Sequence, residues 1–551
     1  MKRIPRAVFV LALVAGLLPA VSARAEPVPE NATWEQVWFP SDDDTMLHAD
    51  VFLPKDRKKN ERHPVILSIG PYFGSGGFLP PTPTRQGPVL RFNDLITEGR
   101  IFERGYAYVQ VDSRGYGGSD GCYGLGGGGE QMDAKAAVEW AAAQKWSNGR
   151  VGMWGKSYDA WTQVMALAQK PKGLEAAIIQ SPLIEGYGGF FMNGVHYDEG
   201  WFLTPGLYLG YDLVPPSVND SPPEEFLYPV KGTATNPDCY VENMTFSAVY
   251  DHSIDYWQER DIIRAAGKSR VPVLWSHGFN DANTKPDQFL RVYEKLKGPT
   301  RAWFGQYAHD RGNEVDRVGR DGFMDEAMDW LDHFLKGERL VAHPRVEVQD
   351  NNGGWRTEAQ WPPKDAHRYA LRVKEGTYAD ERGNQAGGSN GGNGTWTFTQ
   401  PAPHDLHFAG APRVKLKIDS SVPNVNLIAF LYDVEPDGDA KLISRGAYLV
   451  EEPGKASFDM YPQDWRLPKG HRIGLLLSGS DESWFSPVST GTDVTVASGT
   501  VSLPFLRFLR SNNLEGGPAQ AQSSVPSLDV EKDIIVERQV RVHFPPPLRR
   551  R

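Results

Sequence analysis

Cysteine is almost missing from this sequence: its 551 residues contain two, Cys122 and Cys239. Their spacing resembles no metal site. Positive charge is in deficit, with 59 Lys and Arg against 69 Asp and Glu and a net charge of −10. That excludes the basic footprint of a nucleic-acid binder. No internal apolar run approaches the roughly 18 residues that span a bilayer, so no stable membrane insertion is expected. No repeat of 20–50 residues is visible, which removes solenoids and propellers. Charged residues make up 23% and the hydrophobic set 40%, ordinary values that exclude global disorder. At about 100–200 residues per domain, the length suggests two to four domains. The 57 glycines and 16 tryptophans point to turn-dense loops and β-rich surfaces.

The N-terminus carries an export pattern. Lys2, Arg3 and Arg6 precede an apolar stretch from Ala7 to Val21, then Ser22-Ala23-Arg24-Ala25-Glu26. Small residues at that spacing suit a signal peptidase, so 1–25 is expected to be a signal peptide cleaved after Ala25, with a secreted or periplasmic product. In such a compartment Cys122 and Cys239 form a candidate disulfide; two buried thiols are the other reading.

Residues 26–182 and 269–343 alternate strands and helices. Val65–Ile69, Tyr106–Val111, Val151–Trp154, Ala176–Ile179 and Val271–Trp275 are short apolar runs closed by turn residues, as buried parallel strands are. Asp133–Trp146, Tyr158–Gln169 and Asp325–Lys336 carry helical periodicity. The alternation implies an α/β fold with a parallel sheet between helical layers. It lapses over 183–268, an aromatic- and proline-rich insertion placed over the sheet's functional edge. From Pro344 to the end the period becomes two, beginning with Arg345-Val346-Glu347-Val348 and continuing through Arg413–Ile418, Arg472–Leu477 and Gln539–Phe544. That reads as a β-sandwich over 344–551, with the tract 383–394 a loop within it.

The strand Val151–Trp154 runs into Gly155-Lys156-Ser157-Tyr158-Asp159-Ala160 and then a helix. A serine on a sharp strand-to-helix turn presents its Oγ clear of the sheet, and the next N–H faces the space where an oxyanion forms. The usual glycine two positions after the serine is replaced by Asp159, with the small residue arriving one later at Ala160. An acid and a base should follow in that order. Asp281 lies just past the strand ending at Trp275, and His309 follows the strand Ala302–Gly305. Serine needs a base to become nucleophilic, and the base needs a carboxylate to fix its tautomer. Ser157, Asp281 and His309 are therefore the candidate catalytic residues, and the chemistry needs no metal or organic cofactor. His277 precedes Asp281 and breaks the order; His333 sits inside an amphipathic helix. Gly124–Gly129 lacks the Lys-Ser pair of a phosphate loop. Tyr72, after Gly70-Pro71 at an early strand end, reads from the residues alone as a packed aromatic or a second oxyanion donor.

These words together resemble the X-Pro dipeptidyl-peptidase and cocaine-esterase-like serine hydrolases, with the α-amino acid ester hydrolases and glutaryl acylases. The matching segments are Gly70-Pro71-Tyr72, Asp112-Ser113-Arg114-Gly115-Tyr116-Gly117-Gly118-Ser119-Asp120-Gly121 and Gln144 through Tyr158. His277-Gly278-Phe279-Asn280-Asp281 with Asn283-Thr284-Lys285-Pro286 looks most like the X-prolyl peptidase branch. The resemblance implies an α/β-hydrolase domain, a mostly helical cap inserted at 183–268, and a C-terminal jelly roll. It implies Ser157 as nucleophile, Asp281 as acid, His309 as base, and the Tyr158 N–H and Tyr72 hydroxyl as oxyanion donors. The expected substrate is a small molecule or short peptide carrying an acyl ester or amide. Asp159, Asp198 and Glu199, with Trp201 beside them, are candidate ligands for a substrate α-ammonium; salt bridges are their other reading. A carboxylesterase or acylase without peptidase activity is the alternative function, and a non-catalytic glycan binder the remote one.

Overall fold

The structure is a computed structural model. It describes residues 28–73, 90–197, 237–382, 394–481, 484–485, 488–519, 530–532, 534–537 and 539–549. The expected signal peptide 1–25, the residues Asp198, Glu199 and Trp201, and 383–393 of the glycine-rich tract lie outside the described residues.

The first domain is built on strands β1 (Ala32–Pro40), β2 (Met46–Pro54), β3 (His63–Gly70), β4 (Ala107–Asp112), β5 (Ser147–Lys156) and β6 (Leu174–Gln180). A small hairpin follows, β7 (Phe191–Met192) and β8 (Val195–His196). Then come β9 (Val273–Gly278), β10 (Thr300–Gly305), β11 (Val346–Gln349) and β12 (Trp355–Glu358). Apart from the hairpin they form one sheet in the order β1-β2-β4-β3-β5-β6-β9-β10-β11-β12. Pairing is parallel from β4 through β11 and antiparallel at both edges.

Every residue of β3 and β4 is buried, because helices cover both faces. Successive side chains divide between two cores, as pleating requires. Val65, Leu67 and Ile69 pack with Trp161, Val164 and Met165 of the helix Tyr158–Gln169. Ile66 packs on the other side, in the cluster of Met328 and Leu331 from the helix Phe323–Leu331.

The chain leaves this sheet after β6 and re-enters at the neighbouring β9. The described part of the segment between them holds the hairpin and the helices Gly186–Phe190, Pro237–Phe246, Asp255–Arg260 and Ile263–Ala266. Cys122 and Cys239 are disulfide-bonded, with Cα atoms 5.8 Å apart, which ties the glycine-rich loop before the helix Gly128–Ala143 to the helix Pro237–Phe246.

Among the described residues the second domain has two β-sheets, one of seven and one of six strands, around a shared apolar core. Arg413–Ser420 alternates cleanly, sending Val414, Leu416 and Ile418 inward. One expectation is corrected. Val346–Gln349, read as the start of the sandwich, and Trp355–Glu358 after it extend the first sheet instead. All four residues of β11 are buried. Its apparent polar alternation comes from Glu347, whose carboxylate accepts a bond from Arg320 Nε at 2.7 Å. The segment read as a strand at Gln539–Phe544 is a strand only at Gln539–Val540.

The domains are locked by a buried charge cluster. Arg356 of β12 donates Nη1 and Nη2 to the two oxygens of Asp464 at 2.9 and 2.6 Å. His407 Nε2 and Trp361 Nε1 complete that carboxylate's contacts at 2.7 and 3.0 Å.

Candidate active site

Ser157 follows the last residue of β5 and precedes the first turn of the helix Tyr158–Gln169. Its backbone sits at φ 65° and ψ −122°, a strained conformation for a residue with a side chain. A β-carbon on Gly155 would fall 2.5 Å from the Asp159 carbonyl oxygen, so the turn closes this tightly only with glycine there. The Tyr158 N–H occupies the first helical position, where no intrahelical acceptor exists and the helix dipole is positive. The Tyr158 ring is anchored away from the nucleophile: its hydroxyl donates to Glu130 Oε2 at 2.5 Å. Glu130 also accepts the N–H groups of Gly124 and Gly126, which orders the loop carrying Cys122. Burial raises the Glu130 pKa, and these donors pull against it.

Asp281 lies just past β9, and His309 follows β10. The two strands are adjacent and parallel, so both side chains emerge at the same sheet edge as Ser157. His309 Nδ1 is 2.9 Å from Asp281 Oδ2. Thr284 Oγ1 donates to the same oxygen at 2.8 Å, while the N–H groups of Asn283 and Thr284 both reach Asp281 Oδ1 at 2.9 Å. Although Asp281 is fully buried, the adjacent imidazole and these donors hold its carboxyl well below the ordinary value. Burial lowers the pKa of His309, and Lys156 beside the serine lowers it further, against the pull of Asp281. Both described side-chain contacts of His309 use Nδ1, so Nε2 is uncommitted among the described residues.

His277, the competing base by sequence, is packed beneath the acid. Its ring stacks on Phe289 at 4.7 Å, and its Nε2 is 3.9 Å from Asp281 Oδ2. Burial brings its pKa down to about 4, which keeps it neutral.

Asp159 does not stand open to a substrate ammonium. It is fully buried and accepts Arg91 Nε at 2.5 Å. Its carboxylate lies over Gly70, where a β-carbon would be 1.7 Å from Oδ1. Burial lifts its pKa to about 7 even with Arg91 alongside. Tyr72 follows Pro71 beyond the end of β3, with the Arg91 guanidinium 3.7 Å above its ring.

Several residues here carry no sequence signal. Arg91 and Glu130 lie 68 and 28 residues from their partners Asp159 and Tyr158, with ordinary segments between. Gln463 comes from the second domain and donates to Asn280 Oδ1 at 3.1 Å, bracing the acid loop from outside. Among the described residues, one set of metal-type donors clusters within 4.8 Å, Glu185, His252 and Asp261. There Glu185 already accepts from Gln288 at 3.2 Å and has Arg291 at 3.6 Å, so the set reads as charge pairing.

Residues 43–311 match the family model of the X-Pro dipeptidyl-peptidase (S15 family), and residues 340–524 match that of the X-Pro dipeptidyl-peptidase C-terminal non-catalytic domain. The chain belongs to the S15 family. It is a serine-type hydrolase of the peptidase or esterase kind. Curated relatives of this S15 chain include the Xaa-Pro dipeptidyl-peptidase of Lacticaseibacillus paracasei, 22% identical, covering 86% of this chain and 77% of the relative. A Streptomyces avermitilis protein with a provisional Xaa-Pro dipeptidyl-peptidase name is 26% identical, covering 90% and 87%. Among solved structures, a CocE/NonD family hydrolase from Staphylococcus aureus superposes with a TM-score of 0.68 at 15% identity, covering 89% of this chain and 99% of that one. An α-amino acid ester hydrolase gives a TM-score of 0.65 at 17% identity, with the same coverages. These two show the shared fold.

Proposed function

We propose that this S15 hydrolase is an exported X-Pro dipeptidyl-peptidase working through an acyl-enzyme on Ser157. The observation that carries the reading is the strained Ser157 turn at the same sheet edge as the Asp281–His309 pair. Ser157 Oγ attacks the scissile carbonyl carbon while His309 Nε2 takes its proton. Asp281 holds the Nδ1–H tautomer and stabilises the imidazolium that forms. The Tyr158 N–H and the Tyr72 hydroxyl donate to the oxyanion as its charge develops. The tetrahedral species collapses, and His309 returns the proton to the departing amine. Water then repeats the cycle in reverse roles and frees Ser157.

A carboxylesterase or acylase is the second reading. It is favoured by one observation: Asp159, a carboxylate expected at an ammonium site, is committed to Arg91. Purified protein is assayed on Gly-Pro-anilide, its N-acetyl form and p-nitrophenyl esters. Gly-Pro-anilide turnover lost on acetylation supports the peptidase; ester turnover with no X-Pro cleavage selects the esterase. Export is tested by the mass of the mature N-terminus. A chain starting at Glu26 supports it, and a retained Met1 contradicts it.

A further inference from the structure

Arg91 touches both sides of the proposed oxyanion pocket. Its guanidinium carbon lies 3.7 Å over the Tyr72 ring. Its Nε donates to Asp159, the residue after Tyr158, at 2.5 Å. Its Nη2 reaches the carbonyl of Lys156, the residue before Ser157, at 3.5 Å. Asp159 is fully buried, and its Oδ1 occupies the space a β-carbon on Gly70 would fill, 1.7 Å from that position. The Arg91 side chain is itself three-quarters covered, at 25% exposure.

We infer that Arg91, anchored by Asp159, is a positioning residue that sets the place and the donor strength of the Tyr72 hydroxyl. The inference rests on the proposed oxyanion role of Tyr72. Two physical effects follow from the geometry. A cation over the face of a phenol draws electron density from the ring, so the O–H becomes a stronger donor to a developing oxyanion. The ion pair also fastens the turn after β3 to the nucleophile turn, fixing the distance between the two oxyanion donors. Both effects operate mainly when charge builds on the substrate oxygen, so they are felt in kcat rather than in KM. The same contact explains the sequence departure at position 159. A glycine there has no carboxylate to hold a guanidinium, whereas aspartate supplies it.

The test is a double-mutant cycle on Arg91→Gln and Tyr72→Phe, read as kcat and KM on the best substrate. The expected results are a kcat about tenfold lower for R91Q with KM little changed, and a loss on the order of 100-fold for Y72F. R91Q added to Y72F should cost less than about twofold, because its effect passes through the missing hydroxyl. Arg91→Lys, which keeps the charge, should recover part of the rate. Equal losses from R91Q in both backgrounds would overturn the inference while leaving the oxyanion role of Tyr72 intact. An unchanged kcat in Y72F would overturn the oxyanion role itself. Asp159→Asn keeps the volume and releases Arg91; it should give the same non-additive pattern, so the inference is testable even where R91Q folds poorly.

Discussion

Replacing Asp281 by asparagine isolates the role of one charge while keeping shape. Asp281 Oδ1 accepts two backbone N–H groups, from Asn283 and Thr284, both at 2.9 Å. In the variant the amide oxygen must take that position, because an NH2 group there would face two donors. The amide NH2 is then forced toward His309 Nδ1, which sits 2.9 Å from the other oxygen. Nδ1 must become an acceptor, so the proton moves to Nε2. An imidazole protonated at Nε2 cannot take the Ser157 proton. In Ser-His-Asp triads generally, this tautomer change lowers kcat by about 10⁴, or about 5 kcal/mol of transition-state stabilisation. The assay is steady-state turnover of wild type and D281N, with thermal melts to establish that both fold. KM should move by less than about threefold. A loss of kcat smaller than tenfold in a folded variant would refute the assignment of Asp281 as the orienting acid.

Three further outcomes are expected. The acidic limb of kcat/KM should lie below pH 6.5, the ordinary histidine value, because burial and Lys156 lower the His309 pKa and the base must be neutral to act; a limb above pH 7 would contradict this. Asp464→Asn should destabilise the protein by about 3 kcal/mol, since it removes the bidentate partner of buried Arg356 and leaves it Glu358 alone; a melting temperature within 1 °C of wild type would contradict it. The folded Asp464 carboxyl titrates far below its unfolded value, so its contribution is complete at neutral pH and lost as pH falls below about 4. Breaking the Cys122–Cys239 bond should lower stability by about 2–4 kcal/mol and change turnover, because the bond ties the loop ordered by Glu130 to the helix Pro237–Phe246; identical melts and rates for C122S/C239S would contradict it.

The candidate site was legible where it depended on local order. A serine between a buried strand and an amphipathic helix, followed by an acid and a histidine past later strand ends, can be read from chain order alone. The sheet follows from apolar runs such as Val65–Ile69, which a two-faced cover of helices demands. Long-range pairing was not legible. Arg91 and Asp159 are 68 residues apart, and no periodicity joins them. Gln463 reaches Asn280 from another domain, 183 residues on. Val346–Gln349 was placed in the wrong sheet because Glu347 is buried by an ion pair, which imitates the polar half of an alternating strand. Asp159 kept two readings, an ammonium ligand or a salt bridge, and its partner Arg91 is visible only in three dimensions.

The central claim is that Ser157 forms the acyl-enzyme. A fluorophosphonate probe followed by peptide mass spectrometry tests it directly. The account predicts one covalent adduct per chain on the peptide containing Ser157, in step with loss of hydrolysis, and neither labelling nor turnover in Ser157→Ala. Hydrolysis that survives in folded Ser157→Ala, or an adduct on another residue, would contradict it.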